Sequence, residues 1–182
     1  MRVTVYVSMM NAAEVFFYFI GYALGGWLLE NVYSWVTTGV FFKEGFLYGP
    51  LKPMYGFSPV LIVYSVNEST HWILLLLLCF MIPTVIEYVS GMLLERLFHE
   101  RYWDYRQLPL QLHGHICVSF SLCWVLLSLA VVVLLHPLFQ SLYSHLSGVW
   151  GMLWPMFAVI LLADLIVTVR KRSRAVRGRQ PV

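Results

Sequence analysis

The chain predicts an all-α fold, a polytopic transmembrane helix bundle of about five spans with a broken or re-entrant segment before the second. Three observations carry that prediction. The residues are 60% hydrophobic and only 12% charged, against roughly 25% charged in an average soluble domain, and the mean hydropathy is +0.74. Apolar stretches approaching the ~20 residues of a crossing helix recur along the chain. The lysines and arginines collect in alternate connections, as expected when positive residues flanking spans are retained on the cytoplasmic side.

The first span covers 13–36, where Gly21, Gly25 and Gly26 suit close helix packing. No basic stretch followed by an apolar core and a small-residue cleavage site precedes it, so it is expected to act as its own insertion signal. The second span, 54–66, is short and follows Gly45-Phe-Leu-Tyr-Gly-Pro-Leu-Lys-Pro-Met-Tyr-Gly56, whose prolines and glycines break a clean helix. The third, fourth and fifth spans cover 72–95, 115–135 and 148–169. Residues 1–169 are thus expected to form one membrane domain, and 170–182 a basic cytoplasmic tail.

With these spans the positive residues separate. Lys43 and Lys52 lie between the first two spans, Arg96, Arg101 and Arg106 between the third and fourth, and Arg170, Lys171, Arg172, Arg174, Arg177 and Arg179 after the fifth. Only Arg2 falls on the other side, and the connections at 67–71 and 136–147 hold neither lysine nor arginine. The expected topology in the cell membrane has the amino terminus outside and the carboxyl terminus in the cytoplasm. The net charge of +3 therefore reflects topology and contact of the tail with anionic lipid, not nucleic acid. Cys79, Cys117 and Cys123 fall in expected spans without CxxC spacing and read as small packing residues.

Acidic residues inside the spans are the candidates for function. From Trp72 to Ile86 the chain carries no charge, and then Glu87 appears about one and a half turns inside the inner boundary, where a charge is costly. Glu30 and Asp164 fall at similar depth on two other helices. Three anions together would have to protonate, bind a cation, or pair with Lys52, Arg96 or a histidine. Glu87, Gly91, Glu95 and His99 share an i,i+4 stripe, and Gly91 would let a neighbour approach it. His113 and His115 open the fourth span from the same side. For Glu95, Glu100 and His99 the plainer reading is interfacial charge in water, while Glu30 and Glu87 call for buried pairing or a functional role. Trp103, Tyr102, Tyr105, Trp150 and Trp154 fit an interfacial aromatic belt.

Catalytic motifs fail one by one. His99-Glu-Arg-Tyr-Trp103 has tryptophan where HExxH requires its second histidine, and neither GxSxG nor a P-loop is present. His113 and His115 alone are weak grounds for a metal, so no metal site and no cofactor is expected.

Gly26-Trp-Leu-Leu-Glu-Asn-Val-Tyr33, the Gly45–Phe57 motif, the run from Glu87 to Tyr105 and Gly114-His-Ile-Cys-Val-Ser-Phe-Ser-Leu-Cys-Trp124 together resemble the small bacterial family of CmpB-like permeases, labelled ABC-transporter type IV. The match spans about 15–137 and departs from the family pattern at Lys43, Glu44, Gln111 and His115. The resemblance implies a membrane subunit, and an ABC role would need a separate nucleotide-binding subunit docking on loops such as 97–112. Five helices rarely enclose a pathway alone, so a homo-oligomer or partner is expected beside the lipid bilayer. The leading reading is a permease with Glu30 and Glu87 contacting a cation, proton or cationic substrate and Lys52 as counter-charge. Two alternatives stand: an enzyme acting on a lipid or prenyl-linked substrate, with Glu87 or Asp104 as acid or base and His99, His113 or His115 assisting, and a non-catalytic assembly or regulatory subunit.

Overall fold

The structure is a computed structural model that describes residues 11–178. The expectations for Arg2 and Arg179 lie outside these residues. Helix α1 runs from Ala12 to Thr38, with the Asn11 side chain accepting the Glu14 N–H at its start and Gly39 in the left-handed conformation (φ 74°) at its end. An irregular segment, 40–52, leads to α2 (Pro53–Ser65), which opens on proline, the residue whose missing N–H is harmless at a helix start. Helix α3 spans Trp72–Phe98. A two-stranded antiparallel hairpin follows, β1 (Gln111–Leu112) with β2 (Ile116–Cys117), and then α4 (Val118–Ala130), a π turn (Val131–Leu135) and α5 (His136–Gly178).

The all-α expectation holds; among the described residues three continuous helical stretches, against the five separate spans expected, have the length and apolarity to cross a bilayer: Ala12–Thr38, Trp72–Phe98 and Val118–Gly178. The difference arises in two places. Helix α2, with 13 residues, reaches only about 20 Å against the ~30 Å of a hydrocarbon core. The connection expected at 136–147 is helical throughout, because its polar side chains turn back on the helix: Ser144 Oγ donates to the Ser141 carbonyl at 2.7 Å, and His145 Nδ1 lies 2.7 Å from the same oxygen. Pro137 is tolerated because the π turn sits directly before it, where the carbonyl four residues back would otherwise meet the proline ring.

This last stretch of 61 residues does not run straight. A straight helix would hold Trp124 and Asp164 about 60 Å apart. Yet Trp124 packs on Tyr55, and Asp164 accepts the Gly49 N–H, positions that even extended chain separates by only about 20 Å. On the way, Phe139 packs on Tyr22, Tyr143 on Phe17, and Trp150 donates to the Ala13 carbonyl at the start of α1. The helical stretch therefore climbs along α1 toward Ala13 and returns beside it.

Close glycine contacts seat α2 on α1. A Cβ on Gly26 would fall inside the Tyr55 side chain, and one on Gly56 would collide with Phe19; Gly21 meets Phe139, whereas Gly25 borders a 140 Å³ apolar cavity. The core is modest, with Ile62, Val63, Val66, Cys79 and Val132 in one cluster and Tyr18, Tyr22 and Val131 in another. Outside it, residues such as Val36, Leu77, Met152 and Val159 are exposed. An apolar surface this extensive belongs against lipid chains, which makes the chain a multi-pass membrane protein. The three cysteines are free, Cys79 and Cys117 buried and Cys123 exposed.

Candidate functional site

The segment from Gly39 to Lys52 turns back along α1 because its backbone N–H groups find acceptors there. The Lys43 N–H donates to Asn31 Oδ1 at 2.9 Å, and the Lys52 N–H to the Ala23 carbonyl at 3.2 Å. This path brings Lys52, its side chain only 10% exposed, into an ion pair with Glu30, while Lys43 Nζ stands 3.3 Å from the same carboxylate. Two ammonium groups thus share one glutamate, and Glu44 on the same pocket wall brings the formal charges to two of each sign. The pair borders a 350 Å³ pocket whose other walls are largely apolar, with Leu93, Leu97, Phe98 and Leu165 among them.

Asp164 does something else. It accepts the backbone N–H groups of Tyr48 (3.1 Å) and Gly49 (2.8 Å) and the Thr168 hydroxyl (3.2 Å). It thereby pins the Gly-Pro motif to α5. A Cβ on Gly49 would stand 3.0 Å from its carboxylate, so glycine here admits the clamp. Farther along α5, Arg172 pairs with Glu100 and donates to the Gly45 and Phe46 carbonyls at 3.3 Å. The basic tail is thus a structural clamp as well as a row of charges.

Glu87 is 1% exposed and has no cationic partner among the described residues. Both of its oxygens accept from neutral donors, Oε1 from the Tyr105 hydroxyl at 2.9 Å and Oε2 from the Trp124 indole N–H at 2.8 Å. Two strong donors are the requirement for keeping a carboxylate away from water. Tyr105 reaches it because the connection 99–117 folds back over the end of α3. The Tyr105 N–H donates to the Gly114 carbonyl at 2.9 Å, Trp103 Nε1–H to the His115 carbonyl at 2.9 Å, and the Phe120 ring stacks on Tyr105. Burial, followed by the negative charge and hydrogen bond of Glu87, raises the Tyr105 pKa. Glu30 adds a weaker push in the same direction, so both acids act on this one phenol.

Gly91 is where the connection touches down. A Cβ there would lie 2.9 Å from His115 Nδ1 and 3.2 Å from Trp103 Cζ2. His115, 5% exposed, stands 3.1 Å from Glu95 through Nε2, and Arg101 grips the same carboxylate at 2.6 to 2.8 Å. Burial, and then the neighbouring Arg101 charge, lower the His115 pKa, so at neutral pH the ring is neutral and its Nε2–H tautomer donates to Glu95. Asp104 is held down at about 2, chiefly by its hydrogen bonds with Arg106. His113 bonds the Tyr88 hydroxyl at 3.0 Å. His99 caps α3 in the left-handed conformation (φ 55°) and is exposed, with its backbone N–H on the Glu95 carbonyl.

The three acids of matching depth therefore have three separate sets of partners. Glu30 has lysines, Glu87 has aromatic donors and Asp164 has backbone. The i,i+4 stripe divides likewise: Glu87 and Gly91 face the folded-back connection, Glu95 meets its polar groups, and His99 lies beyond. His113 and His115 do not open a helix, since α4 begins at Val118 and these residues flank the Gly114 turn of the hairpin. Cys117 is likewise in β2 and not in a span. Among the described residues no group of three or more His, Cys, Asp or Glu could hold a metal ion. Sequence reasoning missed Tyr105 and Trp124 as partners of Glu87. Tyr105 sits in the same motif as the acid but fits the interfacial aromatic belt equally well, and Trp124 closes the separate Gly114–Trp124 motif with nothing in the sequence to pair it with Glu87.

A family model described as "Putative ABC-transporter type IV" matches residues 17–169. No curated protein and no solved structure matches the chain.

Proposed function

This chain belongs to the ABC-transporter type IV family of membrane proteins, and from that premise we propose that it is a permease-like transmembrane subunit of the bacterial cytoplasmic membrane, working with a separate ATPase. Its substrate site is the pocket bordered by Glu30 and Lys52. The observation that carries this reading is a buried lysine–glutamate pair set in the wall of a 350 Å³, mostly apolar pocket. Charge in such a place is expensive unless paired, and a substrate with one charged group and an apolar body can replace half of the pair while filling the rest. Because Lys43 also pairs with Glu30, an anionic group on the substrate can engage Lys52 without leaving that carboxylate unpaired.

Glu87 holds the connection 99–117 against the helix ends and acts on transport through that position. The topology has the carboxyl terminus in the cytoplasm. In its support, Arg172 meets Glu100 and Asp164 meets Gly49, which gathers the basic residues of three connections at one end of the bundle. The polar residues exposed in the loop 97–112, His99, Asp104 and Gln107 among them, are where an ATPase would dock.

The test uses the full-length chain in cells, with a panel of charged amphiphiles offered for uptake and efflux. Lys52→Met and Glu30→Gln should lower transport about 10- to 100-fold, the worth of a charge-assisted contact, with membrane insertion unchanged. Transport by Lys52→Met at the parent rate would refute the site.

A further inference from the structure

We propose that a second pocket, on the opposite face of α3, binds the phosphate of an anionic phospholipid. Helix α3 divides the two. Ser90, Leu93, Leu94 and Leu97 line the Glu30–Lys52 pocket, whereas Tyr88, Met92, Glu95 and Arg96 line a 440 Å³ polar cleft closed by Arg101, Arg106, Gln111, His113 and His115.

The cleft holds more positive charge than its own carboxylate can balance. Glu95 is occupied by Arg101 and His115, and Arg106 is paired with Asp104, which does not line the cleft. Among the described residues no carboxylate approaches Arg96 within 4.0 Å. Several donors are left over. Arg106 engages Nε and Nη2 with Asp104, which frees Nη1. Gln111 is oriented by the Gly114 N–H on its carbonyl oxygen at 2.6 Å, so its NH₂ group is free to donate. Tyr88 occupies only Nδ1 of His113. Guanidinium groups with an amide beside them form the donor set that suits a phosphate.

The surroundings specify that the phosphate is a lipid's. Val85, Val89 and Met92 precede Arg96 at helical spacings of four, three and four, and Val85 and Val89 are exposed. This stripe offers an apolar track for an acyl chain that ends at the unpaired arginine. Beside the cleft the hairpin and the residues leading into it expose Leu108, Leu110 and Leu112, Leu110 to 77%. A soluble anion needs none of this apolar surface. A phospholipid at the membrane boundary covers it and places its phosphate between Arg96 and Arg106.

The experiment measures lipid retained by the purified full-length protein in detergent, by native mass spectrometry, with phosphatidylglycerol, phosphatidylcholine and inorganic phosphate as probes. Phosphatidylglycerol should bind, with phosphatidylcholine and inorganic phosphate weak competitors. Arg96→Gln, at a side chain without a carboxylate partner, should lower its affinity about tenfold. Arg106→Gln should lower it in the same direction, Arg96→Lys should keep most of it, and Arg174→Gln, an equal loss of charge in the tail, should change nothing. Unaltered binding by Arg96→Gln, an equal loss in Arg174→Gln, or displacement of the lipid by an equal concentration of inorganic phosphate would overturn the proposal.

Discussion

The buried carboxylate of Glu87 gives the most exacting test. Trp124→Phe keeps an aromatic ring against Tyr55 but removes the N–H that Oε2 accepts at 2.8 Å. A hydrogen bond to a charged group is worth about 1.5–3 kcal/mol, and a neutral one about 0.5–1.5 kcal/mol. In Glu87→Gln the amide oxygen can still accept from the indole, and the amide NH₂ can donate to the Tyr105 oxygen, so the geometry survives while the charge goes. The same Trp124→Phe change should then cost about 1 kcal/mol less in the glutamine background, a coupling that a double-mutant cycle resolves. At about 2–4 °C per kcal/mol for a chain of this length, Trp124→Phe should lower the Tm of the detergent-solubilised protein by about 3–12 °C alone and by roughly half as much beside Glu87→Gln. A shift below about 1 °C, or equal shifts in both backgrounds, would refute an ionised Glu87 held by these two donors.

Other outcomes follow from the same connection. Gly91→Ala sets a methyl 2.9 Å from His115 Nδ1 and should cost about 1–3 kcal/mol as overpacking; Gly148→Ala, with nothing within 4 Å, should be neutral or gain stability, and equal Tm values for the two would contradict the docking. His115 titrates below its ordinary 6.5 in the fold, so on acidification the unfolded chain takes its proton first. Stability then falls as pH drops through about 6.5, and the Tm difference between pH 7.5 and 5.5 should shrink in His115→Gln, measured by thermal unfolding in detergent.

Hydropathy made the membrane helices legible, since the long apolar runs leading to Glu30 and Glu87 became α1 and α3. The out-and-back path of Val118–Gly178 was legible as two spans joined by a connection, but the helical state of that connection was hidden, because serines and a histidine that resemble a loop can satisfy their hydrogen bonds on the helix itself. Depth along a helix was also legible, and it located Glu30, Glu87 and Asp164 at one end of the bundle. Rotation about the helix axis was not. Asp164 therefore looked like a companion of Glu87 when it faces the Gly-Pro segment. The close approach at Gly91 was foreseeable from the stripe, but the approaching group was a connection whose hairpin spans only two residues per strand, too short to leave an alternating pattern. Lys52 was recognised as counter-charge because it is the cation in the motif that precedes α2, and chain connectivity alone keeps it near α1.

The capping of Glu87 also sets a problem of timing during synthesis. Its donors lie 18 and 37 residues farther along the chain, so at about 5–20 residues per second the indole of Trp124 arrives roughly 2–7 s after the carboxylate has been made. For that interval α3 carries a carboxyl group whose hydrogen-bond donors do not yet exist, and it has little reason to leave the insertion machinery for lipid. Helix α3 and helix α4 should therefore partition into the bilayer together, as a pair released only once the second has delivered its tryptophan.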